Sequence, residues 1–331
     1  MSLPIVLSGI QPTGSIHIGN YLGSIRNWVS LQDSYQCFFF LADLHTLTSQ
    51  NYNSNELKQN SINTLAVYLS CGIDPNKSVL FSQSAVPAHT ELLWILSCIA
   101  STGQLNRMTQ FKEKSQNKAS ACLGLYSYPV LMAADILIYK ANIIPVGADQ
   151  KQHLELARDI ATNFNLMYNT EYFQAPEPLI IRESAKIMSL RDGKKKMSKS
   201  DSSDYSRINL LDSNDLISQK IRKATTDSFI GFDFNTLEDR AEIKNLVNIY
   251  ATLSNISTEQ ACIKIENLNT DQFKTQLAEV IIHNIAPIRQ KIKEYLEDTE
   301  YLRNIITLGN NKAASIANKH IAEIKKIVGY W

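Results

Sequence analysis

Several features that would decide a protein's class at once are missing from this sequence. Its five cysteines, Cys37, Cys71, Cys98, Cys122 and Cys262, are odd in number, widely separated and never spaced as CxxC. That excludes a disulfide framework and a zinc knuckle, and a reducing compartment is expected. No apolar run reaches the roughly 18 residues of a membrane span, and no charged segment leads into a long apolar one near the N-terminus. The expectation is therefore no membrane partner and a cytoplasmic location. Excess charge is also lacking: 33 Lys and Arg face 32 Asp and Glu, for a formal net charge of +1. A nucleic-acid partner would have to be met by local basic patches rather than by an overall cationic field. Internal repeats and low-complexity tracts are absent as well.

What remains is an ordinary globular composition, 44% hydrophobic and 20% charged, in 331 residues, a length suited to about two domains. Short apolar runs at 5–7, 37–42, 79–81 and 143–146 alternate with helical patterns. One helix begins near Ile18, with Ile18, Leu22, Ile25 and Val29 on one face, and another is expected over 149–165. Strands alternating with helices predict a parallel sheet whose ligands sit beyond the C-terminal strand ends. The character changes after a basic, serine-containing stretch at 191–203. Beyond it Leu216, Ile217 and Ile221 are helically spaced, Ser257 and Gln260 form a capping-box pattern, and Phe273, Leu277, Val280, Ile281 and Ile288 continue a helical stripe. The expected division is an α/β domain over 1–203 and a helical bundle over 204–331.

Two loops carry chemistry. The first strand-to-helix loop reads SGIQPTGSIHIGN at 8–20. Free N–H groups at the helix start make an anion site, Gly14 and Gly19 let a ligand approach the backbone, and His17 and Asn20 are donors for phosphate. The tetrapeptide HIGN alone reads equally as an ordinary turn between strand and helix. The second loop, KKKMSKS at 194–200, places lysines on a flexible segment able to reach phosphates. Taken alone it reads as a solvated charge run. Their joint occurrence, in this order, at opposite ends of an α/β pattern and just before a helical region, is far more specific than either.

With these residues the chain resembles the class I aminoacyl-tRNA synthetases, whose two signatures are HIGH and KMSKS, and within them the bacterial tryptophan branch. Further matching segments are GIQPTG at 9–14, RMTQFKEK at 107–114, YPVLMAAD at 128–135 and PVGADQKQH at 145–153. The last residue of HIGH is Asn20 here, a substitution common in the tryptophan branch. The resemblance implies a Rossmann-like catalytic domain with a helical insertion, followed by an α-helical anticodon-binding domain. It further implies that Gln11, His17, Gly19, Asn20, Gly147 and Ser198 contact ATP, Asp149 accepts from ribose hydroxyls and Met197 packs beside adenine. Lys196 and Lys199 would bind pyrophosphate, and Lys114 would reach the phosphates from the insertion. Lys112 reads as a solvated surface lysine.

The stretch at 128–139 is apolar on nearly all sides and predicts a buried helix starting after a turn that Pro129 permits. Tyr128, Met132 and Asp135 fall within about one quadrant of it. A carboxylate there bears a large desolvation cost unless it meets a partner. By resemblance Asp135 accepts the indole N–H of tryptophan, and Met132, Ile144 and Val146 pack against the ring. The same resemblance puts Tyr128, Gln150 and His45 near the polar end of the amino acid. Ile144 and Val146 are core positions of any parallel sheet, and His45 reads equally as a structural histidine. Leu7 stands where the family carries an aromatic first-strand residue.

The implied reactions are activation of L-tryptophan by ATP with Mg²⁺ to tryptophanyl adenylate and pyrophosphate, then transfer to tRNA(Trp). The first step needs no general base, because the attacking carboxylate is already ionised; positioning and charge stabilisation carry it. A Mg²⁺ held by phosphates is expected, with no protein cage. Lys220, Arg222 and Lys223 form a candidate anticodon-reading face or a plain solvated one. A homodimer is expected from the family and from the apolar stretch 92–100, for which core packing is the competing reading. The alternative activity is tyrosyl-tRNA synthesis, although that branch usually has Gln at the Met132 position. A nucleotidyltransferase would need no KMSKS loop, and a non-catalytic RNA-binding relative would show damaged signatures.

Overall fold

The computed structural model describes residues 3–48, 53–109, 122–145, 147, 150–179, 186–229 and 231–330. The chain opens with β1 (Ile5–Ile10), which leads through the HIGN loop into α1 over 18–31, a helix containing a wider π turn at Tyr21–Ile25. Then come β2 (Gln36–Leu41), a turn of helix at Asp43–Thr46, α2 (Ser54–Ser70) and β3 (Ser78–Ser82). After α3 (Ala88–Ser97) and α4 (Leu123–Ile138) the chain makes β4 (Ile143–Pro145), α5 (Lys151–Met167) and β5 (Glu177–Leu179). The remainder is helical: α6 (Asn214–Arg222), α7 (Ala241–Leu253), α8 (Thr258–Ile265), α9 (Thr270–Glu297) and α10 (Thr299–Ile327).

All strand pairs are parallel, in the order β3-β2-β1-β4-β5. The order reverses between β1 and β4, so the crevice at their C-terminal ends is where such a sheet takes a ligand. Side-chain alternation splits the interior in two. Val6, Cys37, Phe39 and Leu80 join α1, α2 and helices α6 to α9 in one core. Leu7, Phe38, Phe40, Val79 and Phe81 join α3, α4, α5 and the C-terminal half of α10 in the other. β2 is buried on both faces, and Trp28 of α1 stacks on its Phe39 at 4.8 Å.

The sequence expectations hold for β1, β2, β3, β4 and for the capping box, where Gln260 N–H donates to Ser257 Oγ and Ser257 N–H to Gln260 Oε1, both at 3.1 Å. Three details differ. α4 begins at Leu123, ahead of the expected turn, and carries Pro129 inside it. The proline removes one helical hydrogen bond, but nearly every residue from Tyr128 onward is buried, and that packing holds the helix through the break. β5 has only three residues, one of them Pro178, so neither its length nor its composition signals a strand. Lys220 is not on a solvated basic face: it is fully buried, with Nζ 2.6 Å from both Asp204 and Asp212. Helical spacing turns it inward with Ile217 and Ile221, leaving Arg222 and Lys223 exposed.

α10 does not stay with the other C-terminal helices. Leu302 and Ile305 lie in the first core, while Ala313, Ala317, Ile321 and Ile324 lie in the second. Between them the helix crosses the open edge of β3. The side chain of Asn310 accepts the Ser82 N–H at 2.8 Å, and Gly309 sits so close that a Cβ on it would stand 1.7 Å from the Leu80 carbonyl oxygen. An edge strand's unpaired backbone groups are thus covered by a helix.

Candidate active site

The phosphate side is built at the start of α1. His17 caps the helix in extended backbone conformation, its Nδ1 accepting the Asn20 N–H at 3.3 Å, while the Asn20 side chain accepts the His17 N–H at 3.2 Å. With Nδ1 an acceptor, the ring proton resides on Nε2, which is a donor for an incoming anion. Burial lowers the His17 pKa to about 3, with further lowering by the charges of Lys199, Arg207 and Lys196. The ring is neutral at physiological pH. Backbone bonds from Ile18 N–H to the Ile208 carbonyl, 2.8 Å, and from Leu210 N–H to the Ile16 carbonyl, 2.9 Å, tie this loop to the segment after the lysine loop.

The KMSKS loop folds onto the same place. Met197 N–H donates to the Ile187 carbonyl at 3.1 Å, and Ser189 N–H to the Lys195 carbonyl at 2.7 Å. Met197 is buried, with its Cβ 3.5 Å from where a Gly19 side chain would begin, so the two signatures pack together; that side chain would stand only 3.0 Å from the His17 ring, which the glycine leaves room for. Lys199 Nζ donates to the carbonyl of Gln11 at 3.1 Å, and its burial pulls the ammonium's pKa down to about 7. Lys196 is exposed beside it, and Ser198 Oγ lies 2.9 Å from Ser200 Oγ. Gln11, His17, Gly19, Met197 and Lys199 therefore form one cluster at the C-terminal end of β1.

Across the crevice, Tyr128, Met132 and Asp135 share one face of α4, and Leu7 and Ile144 are buried on the sheet face that this helix covers. Asp135 is 1% exposed and held by three side chains. His45 Nε2 lies 2.9 Å from Oδ2, His89 Nδ1 lies 2.6 Å from Oδ1, and Gln83 Nε2 donates to both oxygens at 2.8 and 2.9 Å. Burial alone would raise its pKa; the hydrogen bonds and charge of His45 and His89 outweigh this and hold it below the ordinary carboxylate value. His45 thus meets Asp135, and its ring stands 6.3 Å edge-on from that of Tyr128, whose hydroxyl lies 2.8 Å from His153 Nε2. Gly147 and Gln150 follow β4, with Gln150 N–H donating to the Gly147 carbonyl at 2.9 Å. Lys114, Val146 and Asp149 lie outside the described residues.

The two signature loops are thus in contact at the C-terminal end of β1, and a buried acceptor stands on the apolar helix that covers the sheet. The model of the class I tRNA synthetases for tryptophan and tyrosine matches residues 3–285. The chain belongs to this family. It is 56% identical over 328 residues, 98% of each chain, to the tryptophan–tRNA ligase of Rickettsia bellii, and 46% identical to that of Prochlorococcus marinus over 98% of this chain and 97% of the other. The tryptophanyl-tRNA synthetase of Mycoplasma pneumoniae superposes with a TM-score of 0.91 at 32% identity, covering 99% of this chain and 98% of the other. That of Campylobacter jejuni, complexed with ADP and tryptophan, gives 0.82 at 38% identity, covering 98% and 99%. A tyrosyl-tRNA synthetase of Archaeoglobus fulgidus shares the fold at 20% identity.

Seen as a synthetase site, the cluster includes side chains that sequence reasoning did not single out: Gln83, His89 and Tyr139 around Asp135, and Arg207 near His17. Gln83 directly follows β3, at the sheet edge where this fold takes ligands, and that position was the one available signal.

Proposed function

We propose that the protein is a tryptophan–tRNA ligase. It joins L-tryptophan to the α-phosphorus of ATP, releases pyrophosphate, and passes the amino acid to the 3′ end of tRNA(Trp). One observation carries this reading: the phosphate donors His17 and Lys199 stand at the C-terminal end of β1, and the buried acceptor Asp135 stands on α4, which covers the other face of the same sheet. The near full-length likeness to curated tryptophan–tRNA ligases supports the choice of amino acid.

In the first step the tryptophan carboxylate attacks the α-phosphorus, and the bond to the bridging oxygen of pyrophosphate breaks. Charge grows on that oxygen, and Lys199 and Lys196 are placed to meet it. His17 Nε2–H and the N–H groups at the start of α1 hold the phosphates. Mg²⁺ arrives with ATP, held by phosphate oxygens, as part of the substrate. Gln11, Asn20, Gly147 and Ser198 line the nucleotide side, and Met197, packed against Gly19, borders the adenine. By family resemblance Asp149 takes the ribose hydroxyls and Lys114 reaches the phosphates.

The indole enters between α4 and the sheet, against Met132, Ile144, Val146 and Leu7, with its N–H on Asp135; Tyr128, Gln150 and His45 border the amino acid. The helices after 203 read the tRNA, with Arg222 and Lys223 among the exposed cations. The working unit is a homodimer, and the cytoplasm is its place. Tryptophan-dependent exchange of labelled pyrophosphate into ATP tests the assignment. Exchange with tryptophan and not tyrosine is expected; exchange driven by tyrosine, or by neither, overturns it.

A further inference from the structure

We infer that His89, oriented by Tyr139, is a positioning residue for tryptophan selection: it fixes Asp135 as an ionised acceptor on the face of α4 that also carries Tyr128 and Met132. The inference rests on the reading that Asp135 accepts the indole N–H.

Asp135 stands on a helix whose buried residues are otherwise apolar apart from the Tyr128 hydroxyl, so its charge needs donors from elsewhere. The donors fall into two groups. His45 is at the pocket side, 8% exposed and edge-on to Tyr128. Gln83 and His89 are fully buried. His89 comes from α3 and puts Nδ1 2.6 Å from Oδ1, the shortest of these contacts, while its Nε2 lies 2.9 Å from the Tyr139 hydroxyl. A carboxylate faces Nδ1, so Nδ1 carries a proton, while Nε2 faces the tyrosine hydroxyl. Burial and the nearby Asp135 charge raise the Tyr139 pKa, which keeps that O–H in place. The contacts run from Tyr139 through His89 and end on the carboxylate, to which Nδ1 donates.

Direction matters for substrate choice. A carboxylate that only accepts has a place for an indole N–H; a protonated or swung carboxyl offers a donor or misses the ring. The chain of contacts sits behind the acceptor, with Phe38 and Phe81 packed on Tyr139, at ring distances of 5.1 and 5.5 Å. It has no route to the phosphates, so its loss should alter which amino acid is chosen more than how fast pyrophosphate leaves.

The test compares tryptophan with its benzothiophene analogue, which carries sulfur in place of N–H, by kcat/KM in pyrophosphate exchange. His89→Leu is expected to lower the tryptophan preference about tenfold, mostly through KM for tryptophan, with the analogue changed far less. His89→Asn, whose amide restores a donor near Nδ1, is expected to recover most of the preference. Tyr139→Phe, which leaves the packing in place, should lower it about threefold and serves if His89→Leu does not fold. An equal loss for both substrates, or an unchanged ratio in Tyr139→Phe and His89→Leu, overturns the positioning role. Asp135→Ala separates the two levels. If it removes the preference while the His89 and Tyr139 variants keep it, only this inference fails. If it also leaves the ratio unchanged, the reading of Asp135 fails first.

Discussion

Lys199 has one uncharged acceptor in the free protein, the Gln11 carbonyl, and a pKa pulled to about 7. Phosphates favour its charged form, so binding ATP at pH 8 should take up a proton. Calorimetry in two buffers of different ionisation enthalpy reads this directly, and Lys199→Met should abolish the difference. Lys199→Ala should slow adenylate formation about a hundredfold, roughly 3 kcal/mol of barrier, while tryptophan affinity stays nearly constant. A pre-steady-state activation rate left intact would remove this lysine from the mechanism. His17 is shifted in the same sense, and for it the consequence falls on stability. Its pKa is about 3 in the folded chain against 6.5 for an ordinary histidine, so between those values the unfolded state holds more protons. Stability therefore rises with pH across that window, by up to about 1.4 kcal/mol per unit from this group, and is lost on acidification. Urea unfolding at pH 4.5 and 7 should show a smaller difference in His17→Asn than in the wild type.

At the scale of elements, Gly309 makes a very close joint between α10 and β3. A Cβ there meets the backbone of β3 at Leu80, which cannot rotate away as a side chain would. Gly309→Ala should cost several kcal/mol, more than the roughly 1–3 kcal/mol of usual overpacking, whereas Gly103→Ala, with only the Ser101 hydroxyl at 3.5 Å, should be nearly neutral or mildly stabilising. Denaturant midpoints decide it. The same contact shows what the sequence could and could not disclose. Runs such as Cys37 to Leu41 and the stripe Phe273, Leu277, Ile281 declare strand and helix locally, because the signal is periodic burial within one element. The joining of HIGN to KMSKS was legible because each loop has its own chemistry. The return of α10 to β3, the inward turn of Lys220 and the approach of His89 to Asp135 were not, since each depends on residues brought together from far along the chain. β5 escaped for a simpler reason: three residues with a proline have no pattern to detect.

For the whole molecule, the expected homodimer has one tangible motive in Trp94 of α3, 68% exposed on an otherwise apolar stretch. Sedimentation equilibrium should give twice 37.3 kDa at micromolar concentration, and Trp94→Glu should shift the protein toward the single chain; a wild-type monomer under those conditions removes the expectation. A different consequence attaches to α10. It comes far later in the chain than β3, yet it covers that strand's edge. During synthesis on the ribosome β3 emerges before this cover exists, so its edge must wait with backbone groups exposed until α10 leaves the exit tunnel. A message cut short within α10 would yield a chain with most of its site residues and a bare sheet edge, whose expected fate is self-association rather than weak activity.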